Sequence, residues 1–300
     1  MNLPKISIVI PSFNQGHFLE QALQSVLTQN YPNLEVIVID GGSTDGSQKI
    51  IEKYSDQLAY WESIPDRGQS HAINKGFAHT TGEIITFLSS DDYYLPGAFQ
   101  DVADNFRKHP ETGAIIGGFC FQVSGNPSLS PMIPPFLHGG SPTDLSLGPP
   151  GKYRLHQVAT FYSRKALEKV GFYVREDLHY VMDRELLYRV CRQFSISLSP
   201  KAYGVFRKHS ASKTSSNILP FAKEFSNLYL LSCTGEPRLD RKRKRMARYR
   251  QSRGFYKYAQ VAKPASALFA LLRAAVKYPR IFFQRGYWVK IFKTIHSIFK

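Results

Sequence analysis

The chain has 300 residues, 43% of them hydrophobic, which suffices for one large α/β domain, or one domain with appendages, around a substantial core. Its net charge of +16 is confined to one end: residues 231–300 carry 18 Lys and Arg against Glu236 and Asp240, while residues 1–230 balance 21 basic against 21 acidic groups. Three scattered cysteines, Cys120, Cys191 and Cys233, with no CxxC or Cys/His spacing, exclude a disulfide framework and structural zinc and fit a reducing, cytosolic compartment.

In chain order, the opening MNLPKISIVIP reads as a strand rather than a signal peptide. Ile6–Ile10 is a short apolar run typical of a buried parallel strand, ending at Pro11. Beyond the polar loop Ser12–Gly16, apolar residues recur with helical spacing at Phe18, Leu19, Ala22, Leu23, Val26 and Leu27. Leu34–Ile39 reads as a second buried strand, closing on a polar turn from Asp40 to Ser47 that caps a helix over Gln48–Tyr54. Leu58–Trp61 is a weaker strand, Gln69–Ala78 a helix, and Glu83–Leu88 a strong strand running into Ser89-Ser90-Asp91-Asp92. This alternation predicts a mostly parallel sheet flanked by helices. Ligands of such sheets sit beyond the carboxyl ends of the strands, where the loops after Ile10, Ile39 and Leu88 emerge.

From Ser124 to Gly151 the composition turns to Pro, Gly and Ser, giving a long loop. Val158–Tyr162 then reads as a strand, Lys165–Val170 and Arg184–Arg192 as helices, and Arg207–Thr214 as a polar loop. No uncharged apolar run approaches the roughly 18–20 residues a membrane span requires, the best late stretch being Ala267–Leu272. A protein not integral to a membrane by helix insertion is expected.

The stretches SIVIPSFNQGHFLEQALQSVLTQ, EVIVIDGGSTDGS, DRGQSHAINKGF and GEIITFLSSDD, in this order and spacing, resemble glycosyltransferase family 2. The resemblance covers about a third of the chain, from Ser7 to Pro96. It implies a GT-A fold over residues 1–230, with a nucleotide-sugar half (1–123) and an acceptor half (124–230); the charge and helical pattern of residues 231–300 add a basic helical extension. The activity implied is inverting transfer from a nucleoside diphosphate sugar, UDP or dTDP favoured, to a glycan or lipid-linked acceptor in surface polysaccharide synthesis, with Mn²⁺ or Mg²⁺ as cofactor.

The resemblance also places individual residues. Pro11, Phe13 and Asn14 line the first loop, where the Phe13 ring stacks on the base; a core aromatic is the bland alternative. Asp40 accepts a hydrogen bond from an imide or ribose hydroxyl, or simply forms its turn. Arg67, in Asp66-Arg67-Gly68, reaches ribose or phosphate, and Asn74 and Lys75 follow on the next helix. Asp91 serves the ribose or donor sugar and Asp92 contacts the metal, which holds the diphosphate by oxygen ligation; capping of the helix after Pro96 accounts for one of these acids but not for two. His156-Gln157 and His209 resemble stretches beside the acceptor and diphosphate, with His209 as a metal or phosphate contact.

A carboxylate must take the acceptor's proton. Within Val181–Leu187 the resemblance assigns this to Asp183, which would also cap its helix; Glu185, Glu176 and Asp177 are alternatives. The sequence departs from the family at Gly41, where a second Asp is usual, at Ile73 in place of Arg, and at Met182 in place of Glu.

In the tail, Arg241–Arg245, Arg248, Arg250 and Arg253 form a cationic helix. Trp288, Ile291, Phe292, Ile295, Ile298 and Phe299 share one helical face, the pattern of an interfacial helix on an anionic inner leaflet; the alternative is a helical hairpin packed on the domain. A sugar nucleotidyltransferase needs a Gly-rich triphosphate loop, but Pro11–Gly16 has one glycine, and no GxGxxG marks a dinucleotide-binding oxidoreductase. The neutral first 230 residues argue against a nucleic-acid-binding module.

Overall fold

Every residue of β1 (Ile6–Ser12) is buried, as befits a central parallel strand covered on both faces. The structure is a computed structural model and describes residues 3–123, 129–132, 155–209, 212–213, 217–283 and 285–298. Helix α1 (Gly16–Leu27) turns Leu19, Ala22, Leu23 and Val26 inward, the stripe read from the sequence. β2 (Leu34–Asp40), α2 (Ser47–Lys53), β3 (Tyr60–Ser63), α3 (Gln69–Ala78) and β4 (Ile84–Phe87) complete the alternating run. These strands lie parallel in the order β3-β2-β1-β4.

Beyond β4 the sheet changes character. β5 (Tyr93–Tyr94), α4 (Ala98–Lys108), β6 (Ala114–Val123), β7 (Ser130–Met132), β8 (Thr160–Ser163), α5 (Arg164–Lys169), α6 (Met182–Gln193) and β9 (Ile196–Lys208) follow. β8 runs antiparallel to β4 and to β6, β9 parallel to β6, β5 antiparallel to β9 and β7 antiparallel to β6. Among the described residues the result is a nine-stranded mixed sheet flanked by helices. Part of the stretch read as a loop, Ser130–Met132, is thus a strand; most of the remainder lies outside the described residues. Arg207 and Lys208, read as loop, end β9.

The sheet's amino end is held by one carboxylate. Glu35 accepts hydrogen bonds from Lys5 Nζ (2.7 Å), Ser7 Oγ (2.5 Å), and the Thr81 backbone N–H and hydroxyl (both 2.7 Å). Burial opposes the charge, but these donors outweigh it and hold the carboxyl down at about 2. Gly76 brings α3 against β1, since a Cβ there would overlap Val9.

The chain divides into compact units 1–209 and 210–300, not at residue 230. Helix α7 (Ile218–Leu231) belongs with α8 (Pro237–Tyr258): a Cβ on Gly254 would overlap that of Ala222, Arg250 lies 3.9 Å over the Phe225 ring, and Gln251 Nε2 donates to Ser226 Oγ at 3.0 Å. In the same unit, α9 (Pro264–Lys277) and α10 (Arg285–Ile298) share a core of Ala267, Ala270, Leu271, Ala274, Tyr287 and Ile291. Ile291 therefore faces inward, off the apolar stripe read from the sequence, while Phe299 lies outside the described residues.

Candidate functional site

Three loops at the carboxyl ends of β1, β2 and β4 meet the far end of β9. At the first, Asn14 takes a left-handed backbone (φ 51°). Its N–H donates to Ser43 Oγ at 2.7 Å and its Oδ1 accepts from the Thr44 N–H at 2.9 Å. Asn14 thereby ties the first loop to the second. Pro11 is buried beneath this junction, whereas Phe13 is 60% exposed, which removes the core-aromatic alternative.

Asp40 is fully buried. Its carboxylate accepts from the Ser43 N–H (2.8 Å), Ser43 Oγ (2.5 Å) and Ser63 Oγ (2.7 Å), so it shapes its turn. Asp66 is the acid presented beside Phe13. A Cβ built on Gly41 would lie 2.9 Å from Asp66 Oδ2 and 3.3 Å from Phe13 Cδ2, while Asp66 Oδ1 accepts from the Gly68 N–H at 2.6 Å. The sequence singles out the Asp66-Arg67-Gly68 turn but favours its Arg67; the missing second Asp at position 41 is the further signal that points to Asp66.

Arg67 is exposed and pairs with Glu176 at 2.8 Å. Glu176 also accepts from Asn74 Nδ2 at 3.3 Å, and Arg67 first, with Asn74, lowers its carboxyl's pKa. Asn74 further exchanges hydrogen bonds with the Val174 backbone at 2.9 and 2.8 Å, and Ser70 Oγ donates to the Leu178 carbonyl at 3.0 Å. Helix α3 thus anchors the segment leading into α6.

At the end of β4, Asp91 and Asp92 part company. Asp92 is 2% exposed and its Oδ1 accepts the Arg207 backbone N–H at 2.9 Å. Burial, then the charge of Asp91, pushes its carboxyl well above the usual carboxylate range, which favours the neutral acid. Asp91 Oδ2 instead meets His209 Nε2 at 3.1 Å. One carboxylate oxygen and one imidazole nitrogen suit a divalent cation of the Mn²⁺ type. Among the described residues no three such side chains converge, so a cation here would complete its shell from ligand oxygens and water. Neither acid caps the next helix: the N-cap of α4 is Gly97.

Arg207, unmarked in the sequence, organises this corner. Besides its bond to Asp92, its Nε donates to the Asp91 carbonyl and its Nη1 to Gln21 Oε1 at 2.7 Å. The guanidinium lies 4.6 Å from the Phe18 ring centroid and 5.0 Å from that of Tyr93. Its Nη2 is buried without a hydrogen-bond partner among the described residues, as is Gln157 Nε2 in the short 3-10 turn before β8. A buried donor left unpaired costs about 1–3 kcal/mol, a deficit that an acceptor entering this corner would relieve.

Asp183 lies half-exposed in the first turn of α6. It is not the cap, since the N-cap is Val181. It stands near Tyr162, whose phenol is pushed upward by burial and then by the Asp183 charge. The alternative acids each hold an arginine: Glu185 with Arg189 (2.9 Å), Glu176 with Arg67, and Asp177 with Arg175 (2.6 Å). His156 sits between Phe119 and Phe206, ring centroids 5.0 and 4.3 Å away. Burial, with the Arg184 charge, lowers its pKa to about 3, so it is neutral near pH 7.

Residues 7–171 match the model of the family described as Glycosyl transferase family 2. An uncharacterized glycosyltransferase of Rickettsia typhi is 27% identical over 75% of this chain and 70% of its own. A GalNAc(5)-diNAcBac-PP-undecaprenol beta-1,3-glucosyltransferase of Campylobacter jejuni is 28% identical over 68% of this chain and 71% of its own. Among solved structures, Staphylococcus aureus TarS 1–349 in complex with UDP-GlcNAc superposes with TM-score 0.63 at 18% identity, over 91% of this chain and 89% of that one. Mannosyltransferase PcManGT from Pyrobaculum calidifontis, in complex with GDP-Man and Mn²⁺, gives TM-score 0.61 at 16% identity, over 98% and 85%. The mixed α/β sheet is thus of the GT-A type these structures share.

Proposed function

Because the chain belongs to glycosyl transferase family 2 and is a glycosyltransferase, we propose that it transfers a sugar, with inversion, from a nucleoside diphosphate sugar to a hydroxyl of a glycan or lipid-linked acceptor. The observation that carries the reading is the Asp91–His209 pair, 3.1 Å apart beside the buried, partly unsatisfied guanidinium of Arg207. In this reading Asp91 and His209 hold the cation, in place of Asp92. Asp92, buried, fixes the turn by accepting the Arg207 backbone N–H. Bound there, Mn²⁺ or Mg²⁺ supplies positive charge against the departing diphosphate.

The base lies against Phe13 and is read by Asp66. An acceptor-only carboxylate at this place favours a base edge that presents an N–H, such as the imide of uracil or thymine. Asp183 takes the proton of the acceptor hydroxyl as the new O–C1 bond forms and the C1–O bond to the diphosphate breaks, the electron pair leaving with the phosphate. A lipid-linked acceptor is supported by the Campylobacter relative, whose name gives an undecaprenol-linked glycan, and surface polysaccharide synthesis fits such an acceptor.

Calorimetry of UDP, dTDP and GDP with and without Mn²⁺ tests the reading. Binding should require the cation and should weaken with Asp91→Asn or His209→Ala. Nucleotide affinity indifferent to chelator and to both substitutions would overturn it. For catalysis, Asp183→Ala should abolish transfer while donor binding survives; normal turnover would remove Asp183 from its role.

A further inference from the structure

The helical unit 210–300 carries a surface of definite chemistry that glycosyl transfer does not use. Between Arg241 and Lys300 stand 17 Lys and Arg and no Asp or Glu. α9 and α10 bury one side of each helix in their shared alanine-rich core. They leave bare Phe269, Leu272 and Val276 on α9, at positions i, i+3 and i+7, and Trp288, Phe292 and Ile295 on α10, at i, i+4 and i+7. Each set forms one helical stripe. Phe283, in the 3-10 turn Pro279–Phe283 between the helices, is 88% exposed. Exposed apolar side chains grouped in this way mark an interaction site.

We propose that this unit docks on an anionic lipid bilayer. The stripes of α9 and α10 enter the headgroup boundary, and the Lys and Arg side chains pair with lipid phosphates. Charge decides between occupants. A second copy would set cation against cation, with no acid from residue 241 onward on either side. A polynucleotide would neutralise the cations but offer no apolar phase to Leu272, Val276 or Ile295. An anionic bilayer supplies both. No helix among the described residues is long and apolar enough to cross a membrane, so the contact is interfacial. Cations and rings also stand side by side: the Arg273 guanidinium lies 4.5 Å from the Phe269 centroid, a pairing suited to the depth at which headgroups and acyl chains meet.

This inference rests on the helical unit alone, so its failure is distinguishable from failure of the donor chemistry. The test is flotation of the full chain with phosphatidylcholine vesicles and with vesicles in which about a third of the lipid is phosphatidylglycerol. Recovery should favour the anionic vesicles roughly tenfold or more and fall steeply with added salt. The triple change Val276→Ser, Phe283→Ser, Phe292→Ser should lower recovery at unchanged Tm, since all three side chains are exposed. Lys244→Glu with Arg245→Glu should remove much of the preference for anionic lipid, at about fivefold per contacting charge. Equal recovery from both vesicles, or equal recovery of parent and triple variant, overturns the proposal. So does a concentration-dependent dimer that the triple variant abolishes, or an oligonucleotide bound more tightly than the anionic vesicles.

Discussion

The carboxylate of Asp66 stands where a side chain on residue 41 would have to go: a Cβ on Gly41 would lie 2.9 Å from Asp66 Oδ2. The missing second acid of the Asp40 turn and the acid presented from the Asp66-Arg67-Gly68 turn are therefore two sides of one arrangement. Gly41→Asp should crowd two carboxylates and weaken nucleotide binding about tenfold, and adding Asp66→Ala should restore part of it. Asp66→Ala alone should weaken uridine nucleotides by about 1–2 kcal/mol, as expected for a hydrogen bond to a charged acceptor. Calorimetry with UDP reads all three; unchanged affinity in both single variants would show that Asp66 does not face the base.

Asp91 and Asp92 should separate on conservative substitution. Asp92→Asn keeps an oxygen for the Arg207 N–H and should retain cation-dependent binding. Asp91→Asn, which removes the charge beside His209, should raise the Mn²⁺ concentration needed for half-maximal nucleotide binding by at least about tenfold. The reverse order of effects would return the metal contact to Asp92.

Arg207→Met should destabilise the first unit by about 2–4 kcal/mol, since the Asp91 carbonyl and Gln21 lose their donor. Arg207→Lys keeps the charge but not the fork that reaches both at once. It should recover stability only in part, and donor affinity should fall in both variants. Thermal melts with and without nucleotide separate the two effects.

Acid sensitivity follows from two depressed groups. Glu35, held at about 2 in the folded chain, is charged in both states above its ordinary value near 4.5. Its contribution is thus complete above about pH 4.5 and is lost as pH falls toward 2, on the order of 2–3 kcal/mol. His156, lowered to about 3, works in a higher window: the unfolded imidazole takes a proton below about pH 6.5 while the folded one does not, so stability declines from pH 6.5 toward 3. Glu35→Gln should flatten the lower part of a denaturation-versus-pH curve and His156→Phe the upper part.

Gly76→Ala should cost about 1–3 kcal/mol by overpacking, because its Cβ meets Val9 of a strand that cannot withdraw. A chemical-denaturation midpoint equal to that of the parent would show that α3 can slide on β1.

The loops at the carboxyl ends of β1, β2 and β4 were legible because they follow strands whose apolar runs announce them: Ile6–Ile10, Leu34–Ile39 and Glu83–Leu88 each end close to the observed strand. What lay hidden depends on contacts distant in sequence. Asp40 carries the same letter whether it faces a nucleotide or is enclosed by Ser43 and Ser63. Asp91 and Asp92 are adjacent, and only the meeting of β9 with the Asp91–Asp92 turn decides which is buried. β9 escaped notice because its burial alternates irregularly around Ser197–Ala202 and its pairing with β6 shifts register near Gly118, so no clean period of two survives. The boundary at residue 209 was invisible because the charge change at 231 marks composition, whereas α7 is claimed by its packing against α8.

Asp91 and His209 are 118 positions apart, and the strands beside them, β5 and β9, join through a two-residue ladder, Tyr93–Val205 and Tyr94–Gly204. A ribosome must therefore have released almost the whole first unit before a donor can be gripped. A fragment ending after β6 would keep the alternating strands and helices yet lack His209, one of the two side chains proposed above to hold the cation. Splitting such an enzyme for reconstitution, or grafting its amino half onto another acceptor module, has to carry the end of β9 along with it.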